Sequence, residues 1–268
     1  MSPPLRLAIV GARGRVGTAL VRLAPGRGMT VARAVDGRDA GGDLGLLAGA
    51  GALGVTVEAD VTGLSSGGFD VAIDFSSPEL LPGLAAAVAG CGAALVSGTT
   101  GVTAEEERAL DEASRRVPVL WEPNLSVGVQ VLGALLRQAI AALGEGFDVE
   151  IVETHHGRKV DAPSGTALRL ASIARQAGVA EELRHGRQGR PGPRGRREIG
   201  VHAVRGGDVV GDHSVHLLGD GERLELVHRA TSRDVFAHGA LRAAAWMAGR
   251  PAGRYTLADV LGQPGPGP

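Results

Sequence analysis

The sequence predicts an α/β chain in two parts: a parallel sheet flanked by helices, then a smaller α+β domain with a mixed open sheet. Short apolar runs alternate with helix-period segments through the first half, and a glycine-rich turn separates the first run from the first helix. From Phe147 onward the texture changes, as Phe147, Val149 and Ile151 alternate with Asp148, Glu150 and Val152. In order, Leu5 to Val10 reads as a buried strand, Val16 to Leu23 as a helix and Thr30 to Val35 as the next strand. Val71 to Phe75, Ala93 to Val96 and Val117 to Leu120 supply further strands, with helices expected over Glu79 to Ala89 and Ala104 to Arg115. Ser126 then opens a long helix in which Val129, Leu132, Leu136, Ile140 and Leu143 recur at helical spacing. In the second part a helix is expected from Gly165 to Ala177, ended by Gly178. Strands follow over Gly200 to Arg205, Val209 to Leu218 and Arg223 to Ala230, broken by Gly206-Gly207 and Gly219-Asp220-Gly221. A last helix, Asp234 to Ala248, and a short segment around Tyr255 to Leu261 are expected to return to the first domain. The division is therefore 1–126, 127–233, 234–261 and a Gly/Pro tail, 262–268, expected to be disordered.

Composition narrows the class of function. A chain of 268 residues with 44% hydrophobic content can bury substantial cores, and its net charge of −1 gives no global support to nucleic-acid or membrane binding. The N-terminus has no basic region followed by an apolar run, and no stretch is read as approaching the ~20 apolar residues that span a bilayer. A cytoplasmic enzyme is the default expectation. Cys91 stands alone, which leaves no disulfide framework and no thiolate metal cage; it is expected to pack as a small residue near a helix end. The one strongly basic run, His185 to Arg197, is broken by Gly and Pro and has no interleaved aromatics, so it reads as a solvated loop.

The turn after the first strand is Gly11-Ala12-Arg13-Gly14-Arg15-Val16-Gly17. Gly11 permits a tight turn, Gly14 lets backbone amides approach a pyrophosphate, and Gly17 allows close helix packing, with the helix N-terminus facing the negative charge. Glycine spacing is weak in a chain with 43 glycines, but here a strand precedes, a helix follows, and Asp36 ends the second strand where a carboxylate can hold an adenosine ribose. The first domain thus reads as Rossmann-like and dinucleotide-binding. Asp36 favours NADH, because a 2′-phosphate would meet its charge; Arg13, Arg15 and Arg38 are near enough in sequence to neutralise that phosphate, which leaves NADPH open. Gly98-Thr99-Thr100 and Glu122-Pro123-Asn124-Leu125 also lie at carboxyl ends of strands. Taken alone they read as turns, and their backbone groups could hold a nicotinamide amide and its ribose.

Lys159 is the single lysine among 28 basic residues. Arginine stays charged at any working pH, whereas lysine is a compact donor that can give up its proton. It lies in Glu153-Thr154-His155-His156-Gly157-Arg158-Lys159-Val160-Asp161-Ala162-Pro163-Ser164-Gly165-Thr166. Adjacent residues of a strand point to opposite sides, so His155 and His156 have different tasks and do not chelate a metal together. Ser164-Gly165-Thr166 opens a helix whose amides and hydroxyls can take a carboxylate. The cluster suits an anionic substrate that must be protonated.

The array Glu153-x-His155-His156-x-x-Lys159-x-Asp161-Ala162-Pro163-Ser164-Gly165-Thr166-Ala167 resembles the signature of the dihydrodipicolinate reductases, also called 4-hydroxy-tetrahydrodipicolinate reductases. Similarity extends through Asp74-Phe75-Ser76, Gly98-Thr99-Thr100-Gly101, Asn124-x-Ser126-x-Gly128, Arg205-x-Gly207-x-x-Val210-Gly211-x-His213 and Ser232-Arg233-x-x-Phe236-x-x-Gly239-Ala240. The resemblance implies reduction of a cyclic dicarboxylate by NADH or NADPH, with His155 as acid/base and Lys159 as proton donor. It makes His156 a substrate contact and assigns the substrate carboxylate to Gly165 and Thr166, beside Ser164. Gly11, Ala12, Arg13, Gly14, Arg15, Val16, Asp36, Gly98, Thr99, Thr100, Glu122, Pro123, Asn124 and Leu125 match dinucleotide contacts, and a homotetramer is implied. Three departures bear on the cofactor: Asp36-Gly37 where many members have Glu-Arg, Ser77 where some have Arg, and Glu122-Pro123-Asn124-Leu125 for the usual Ala-x-Asn-Phe. Another dehydrogenase on this scaffold, or a dinucleotide sensor, would share the glycine turn but not the complete histidine-lysine array.

Overall fold

The computed structural model describes residues 3–263, so most of the expected C-terminal tail lies outside the described residues. In chain order the elements are β1 (Leu5–Val10), α1 (Arg15–Leu23), β2 (Met29–Val35), α2 (Leu44–Leu47), β3 (Val57–Glu58), β4 (Val71–Asp74), α3 (Leu81–Cys91), β5 (Ala94–Ser97), α4 (Ala104–Ser114) and β6 (Pro118–Trp121). They continue as α5 (Val127–Leu143), β7 (Asp148–His155), α6 (Gly165–Gln176), β8 (Glu182–Arg184), β9 (Glu198–Arg205), β10 (Gly211–Leu218), β11 (Arg223–Ala230), α7 (Asp234–Met247), β12 (Gly253–Tyr255) and α8 (Leu257–Val260). The chain forms two units: the residues up to Val127 together with those from Arg233 onward, and Gly128–Ser232.

In the first unit seven parallel strands lie in the order β12-β6-β5-β4-β1-β2-β3. Both faces of this sheet are covered, which is why its strands are apolar at consecutive positions rather than alternate ones. On β1, Leu7 and Ile9 join a core with α1, α7 and α8, while Ala8 and Val10 join the opposite core with α3 and α4. Each fully buried leucine of these cores contributes about 1.5–3 kcal/mol. α4 starts at a capping box, with Thr103 Oγ1 accepting from the Glu105 amide and the Glu106 carboxylate accepting from the Thr103 amide. Cys91 ends α3 half-buried, its thiol 3.6 Å from the Val88 carbonyl.

The second unit has a five-stranded mixed sheet in the order β11-β10-β7-β9-β8. β7 pairs antiparallel with β10 and parallel with β9. The period of two divides β7 cleanly: Val149, Ile151, Glu153 and His155 are buried, and Asp148, Glu150, Val152 and Thr154 are half-buried on the other face. Val149 and Ile151 pack with α5 and α6 through Leu132, Leu136, Ile140, Leu170 and Ala174. Glu153 and His155 continue the same face where the apolar layer ends.

The fold class matches the expectation, a Rossmann-like parallel sheet with helices and a second, mixed sheet, and shared element boundaries shift by no more than two residues. α2, β3, β8 and β12 lie outside the elements expected from sequence, being two to four residues long and too short to display a hydrophobic period. Two other expectations are corrected. Val127–Gly146 is a 20-residue helical run of mean hydropathy 1.5, long and apolar enough to cross a membrane by length and composition. Its Leu132, Leu136 and Ile140 are spent on the core of the second unit. The basic run is not simply a solvated loop, because two of its arginines reach back to the outer face of the sheet. Arg187 bonds both carboxylate oxygens of Glu150 and Oε1 of Glu198, and Arg194 reaches Asp148, Glu150 and three backbone carbonyls. Gly200, opposite Glu150 on β9, leaves space for that carboxylate: a Cβ there would lie 1.8 Å from its Oε2.

Burial by itself would raise the pKa of Glu150, but hydrogen bonds from Arg187, His202 and Arg194 outweigh it and bring it down to about 2. A carboxyl depressed from its usual 4.5 stabilises the fold fully above that value and loses the contribution as pH falls toward about 2. Glu150→Gln is therefore expected to cost on the order of 3 kcal/mol near neutrality. In denaturant titrations at a series of pH values, the gap from the parent chain should narrow through this acid window.

Candidate active site

In the first unit the chain leaves β1 for β2 on one side and reaches β4 on the other, so the carboxyl ends of β1 and β4 flank a topological switch point. A cavity of about 240 Å³ opens there, lined by Gly14, Arg15, Val16, Phe75, Ser76, Gly98, Thr99, Thr100, Arg233 and Phe236. The turn into it is possible because of two glycines. Gly11 has φ +76°, and a Cβ on it would sit 2.4 Å from the Phe75 carbonyl oxygen; a Cβ on Gly17 would sit 2.3 Å from the Gly11 oxygen. Gly14 stands at the N-cap of α1 with no side-chain cap, so the helix end presents backbone amides to whatever enters. These features fit a dinucleotide pyrophosphate.

The remaining turn residues face elsewhere. The Gly11 and Ala12 amides donate to the Val35 carbonyl at 2.9 and 3.1 Å, and the Arg13 amide donates to Asp36 Oδ2 at 2.9 Å. The Arg13 guanidinium is engaged by Asp39 and the Leu47 carbonyl. Asp36 is buried at the end of β2 and receives the Arg38 amide and guanidinium at 3.0 and 3.1 Å. Burial would raise this carboxyl, yet the bonds from Arg38 and Arg13 hold it below the usual range. Arg38 itself is 70% exposed, whereas the carboxylate it meets is buried.

The loops after β4 and β5 are tied together by Asp74. This fully buried carboxyl accepts from Ser97 Oγ and Thr99 Oγ1, both at 2.7 Å, and from the Ser76 amide at 3.0 Å. Burial pushes its pKa up against those bonds. The Thr99 hydroxyl is thus committed to the loop framework, and its carbonyl accepts from the Trp121 indole at 2.9 Å. Gly98 lies under the Phe75 ring, where a Cβ would come within 2.3 Å of it. Glu122 and Leu125 are buried, Pro123 is exposed, and none of Glu122, Pro123, Asn124 and Leu125 lines the cavity. Leu125 belongs to the core, its carbonyl facing Gly239 so closely that a Cβ there would lie 1.7 Å away. Phe75, Ser76, Arg233 and Phe236 line the cavity without being among the residues expected there from sequence. Phe75 and Ser76 follow directly on the β4 strand, which was the available signal; Arg233 and Phe236 come from far along the chain, and only folding brings them in.

In the second unit the histidine-lysine loop follows β7. His155 is 9% exposed, and its Nδ1 lies 2.5 Å from Oε2 of Glu153, which is wholly buried. The other carboxylate oxygen accepts the Ser164 amide at 3.0 Å, and Arg205 grips both oxygens at 2.7 Å. Burial alone would raise Glu153, but Arg205, His155 and the Ser164 amide hold it below the usual carboxylate range. Ser164 caps α6, its Oγ accepting from the Ala167 amide at 3.2 Å and lying 3.1 Å from His213 Nε2. His213 packs edge-to-face on His155, with ring centroids 5.2 Å apart. Burial, with His155 beside it, lowers the His213 pKa to about 4, so this ring is neutral near pH 7.

Gly165, the first residue of α6, is exposed. His156 is half-buried, with its amide bonded to the Val209 carbonyl at 2.8 Å. Lys159 Nζ lies 2.8 Å from Asp161 Oδ1, whose side chain is 56% exposed; such a pair contributes about 0–1 kcal/mol and yields readily to a stronger anion. Among the described residues no group of three or more His, Cys, Asp or Glu side chains is arranged to hold a metal. Glu153, Arg205 and His213 are not among the site residues expected from sequence, although the spacing of two between Glu153 and His155 puts those two on one strand face.

Comparison with known proteins finds relatives that span nearly the whole chain. Residues 5–125 match the model of the dihydrodipicolinate reductase N-terminus, and residues 128–261 match that of the C-terminus. The chain is 50% identical over 264 residues to a 4-hydroxy-tetrahydrodipicolinate reductase of Anaeromyxobacter dehalogenans, covering 96% of this chain and 97% of that one. It is 47% identical over 267 residues to the enzyme of that name from Myxococcus xanthus, covering 96% and 98%. In fold it resembles a dipicolinate-bound dihydrodipicolinate reductase from Paenisporosarcina sp. TG-14, with TM-score 0.76, 24% identity and coverage of 94% and 97%.

If the cavity at the switch point takes a dinucleotide, filling it should exclude the ligand without unfolding the chain. Thr100 lines it at an exposed position. Thr100→Trp is expected to weaken NADH or NADPH binding by on the order of tenfold or more, about 1.4 kcal/mol, in a calorimetric titration, with little change in Tm.

Proposed function

The chain belongs to the dihydrodipicolinate reductase family, and from this premise we propose how its residues share the work. The reaction is the NAD(P)H-dependent reduction of 4-hydroxy-2,3,4,5-tetrahydrodipicolinate to 2,3,4,5-tetrahydrodipicolinate, a step of diaminopimelate and lysine biosynthesis. The protein is an oxidoreductase acting on a small cyclic dicarboxylate with a pyridine nucleotide. When bound, the reduced nicotinamide supplies the hydride.

The substrate ring loses its hydroxyl as water, and hydride addition drives electron density toward the ring nitrogen and the neighbouring carbon. Lys159 offsets that charge and donates a proton, and His155 exchanges a proton through Nε2, the nitrogen not directed at Glu153. The substrate carboxylate is met at the open N-terminus of α6 by Gly165 and Thr166, beside the Ser164 cap, with His156 as a further contact. The observation that carries this reading is the enclosed Glu153-His155 pair adjoining that helix start.

Nucleotide binding is assigned to the turn Gly11 to Val16, to Asp36 and to the loops Gly98 to Thr100 and Glu122 to Leu125, with Ala12, Arg13 and Leu125 acting through their place in the framework. Asp36 accepts from the adenosine ribose, which favours NADH; Arg38 takes a 2′-phosphate once it leaves Asp36, so NADPH also serves. We place the enzyme in the cytoplasm as a homotetramer.

The test supplies the product of dihydrodipicolinate synthase with NADH or NADPH and follows loss of nicotinamide absorbance. Oxidation of both cofactors is expected, with the lower KM for NADH, and absence of oxidation with either would reject the assignment. Lys159→Arg is expected to keep KM for the dicarboxylate near that of the parent while kcat drops on the order of 10²-fold, because guanidinium does not release its proton. Undiminished kcat would remove the proton-donor role.

A further inference from the structure

Building on His155 as the acid/base, we infer that Glu153, gripped by Arg205, is a positioning residue that sets the tautomer of His155 and the seat of the α6 N-terminus together. A carboxylate has about four lone-pair sites. Here all are taken: Oε1 by the Ser164 amide and Arg205 Nη2, Oε2 by His155 Nδ1 and Arg205 Nη1. With no accessible surface and no vacant acceptor, Glu153 neither touches substrate nor carries a proton.

The partners explain the tautomer. An amide and a guanidinium can only donate, and a carboxylate held by them has no hydrogen of its own to offer, so the imidazole must donate from Nδ1 as well. Nε2 is then the nitrogen left for chemistry. Gly211 lies beside it: a Cβ there would sit 2.9 Å from Nε2, so any side chain at that position would crowd this edge of the ring. The register enforces the arrangement from both sides. Arg205 is the β9 partner of His155, and His213 is the β10 partner of Glu153. Arg205 also reaches the Asp161 carbonyl at 2.7 Å, and the Gly206 amide donates to the His155 carbonyl at 3.0 Å, which secures the loop that carries Lys159. One buried anion thus couples the acid/base to the turn assigned to the substrate carboxylate.

Glu153→Gln separates the two tasks. With its oxygen toward Ser164, the amide group faces His155, and the imidazole can answer by moving its proton from Nδ1 to Nε2. In that orientation the amide group opposes one fixed donor, Arg205 Nη1, whereas the reverse orientation would set it against two, the Ser164 amide and Arg205 Nη2, neither of which can change its hydrogens. The first orientation prevails, which leaves the α6 seat intact and His155 in the wrong tautomer.

The experiment measures kcat, KM for the dicarboxylate and NADH binding for Glu153→Gln, and reads the protonated nitrogen of His155 by ¹⁵N NMR with His155→Gln as the assignment control. A loss in kcat of roughly 10²-fold is expected, with a far smaller change in KM, unchanged NADH binding and the proton moved to Nε2. Parent-like kcat, or a loss with Nδ1 still protonated, overturns the inference. Should this variant not fold, Arg205→Lys keeps the charge without the two-pronged grip; lower kcat with weakened Nδ1–H protection supports the role, and parent behaviour in both removes it. The tautomer measurement needs no turnover, so failure of the parent chain to reduce the substrate would reject the functional assignment alone.

Discussion

A carboxylate with no exposed surface is costly unless donors surround it, and the order of the second unit turns on how Glu153 meets that demand. Arg205 comes from the neighbouring parallel strand, the Ser164 amide from the start of α6, and the imidazole from two residues further along β7. Removing any one of them would leave buried charge incompletely paired. The same requirement therefore fixes the sheet register, the docking of α6 and the orientation of the ring. Stability and chemistry share one constraint here, which is why the residues with assigned reactive roles lie at the exit of an otherwise apolar strand face.

The two faces of β7 show how differently charge can be used. On the inner face one carboxylate, Glu153, is saturated by three partners, one of them the His155 ring. On the outer face Glu150 collects Arg187, Arg194 and His202, and Gly200 makes the space. That second cluster turns a glycine- and proline-rich segment into a strap over the sheet. Proximity of arginines in sequence could not reveal this, because their carboxylate partners lie up to 46 residues away.

The first unit solves a different problem, bringing backbones close enough to build a ligand-sized hollow. Gly11 and Gly17 are demanded by contacts with neighbouring carbonyls, and Asp74 binds two loops that meet only in the folded sheet. Several residues matched to nucleotide contacts act in this framework instead of lining the cavity. Ala12 and Arg13 fasten the turn to β2, the Thr99 hydroxyl is held by Asp74, and the Leu125 side chain is core.

Sequence alone determined the alternation of strands and helices, the glycine turn, the change of texture at Phe147 and the family signature around Lys159. Each of these is local, written in hydrophobic period, in the backbone freedom of glycine or in the order of neighbouring residues. It also contained the clue that Glu153 and His155 share a strand face, since a spacing of two is enough for that. Tertiary structure decided the rest: that Arg205 and His213 flank this pair, and that Arg233 and Phe236 join the cavity beside Gly14. The physical reason is that strand order, register and hydrogen-bond partner depend on residues distant in the chain. Hydrophobic period specifies which face a side chain takes, but not which neighbour it will meet there.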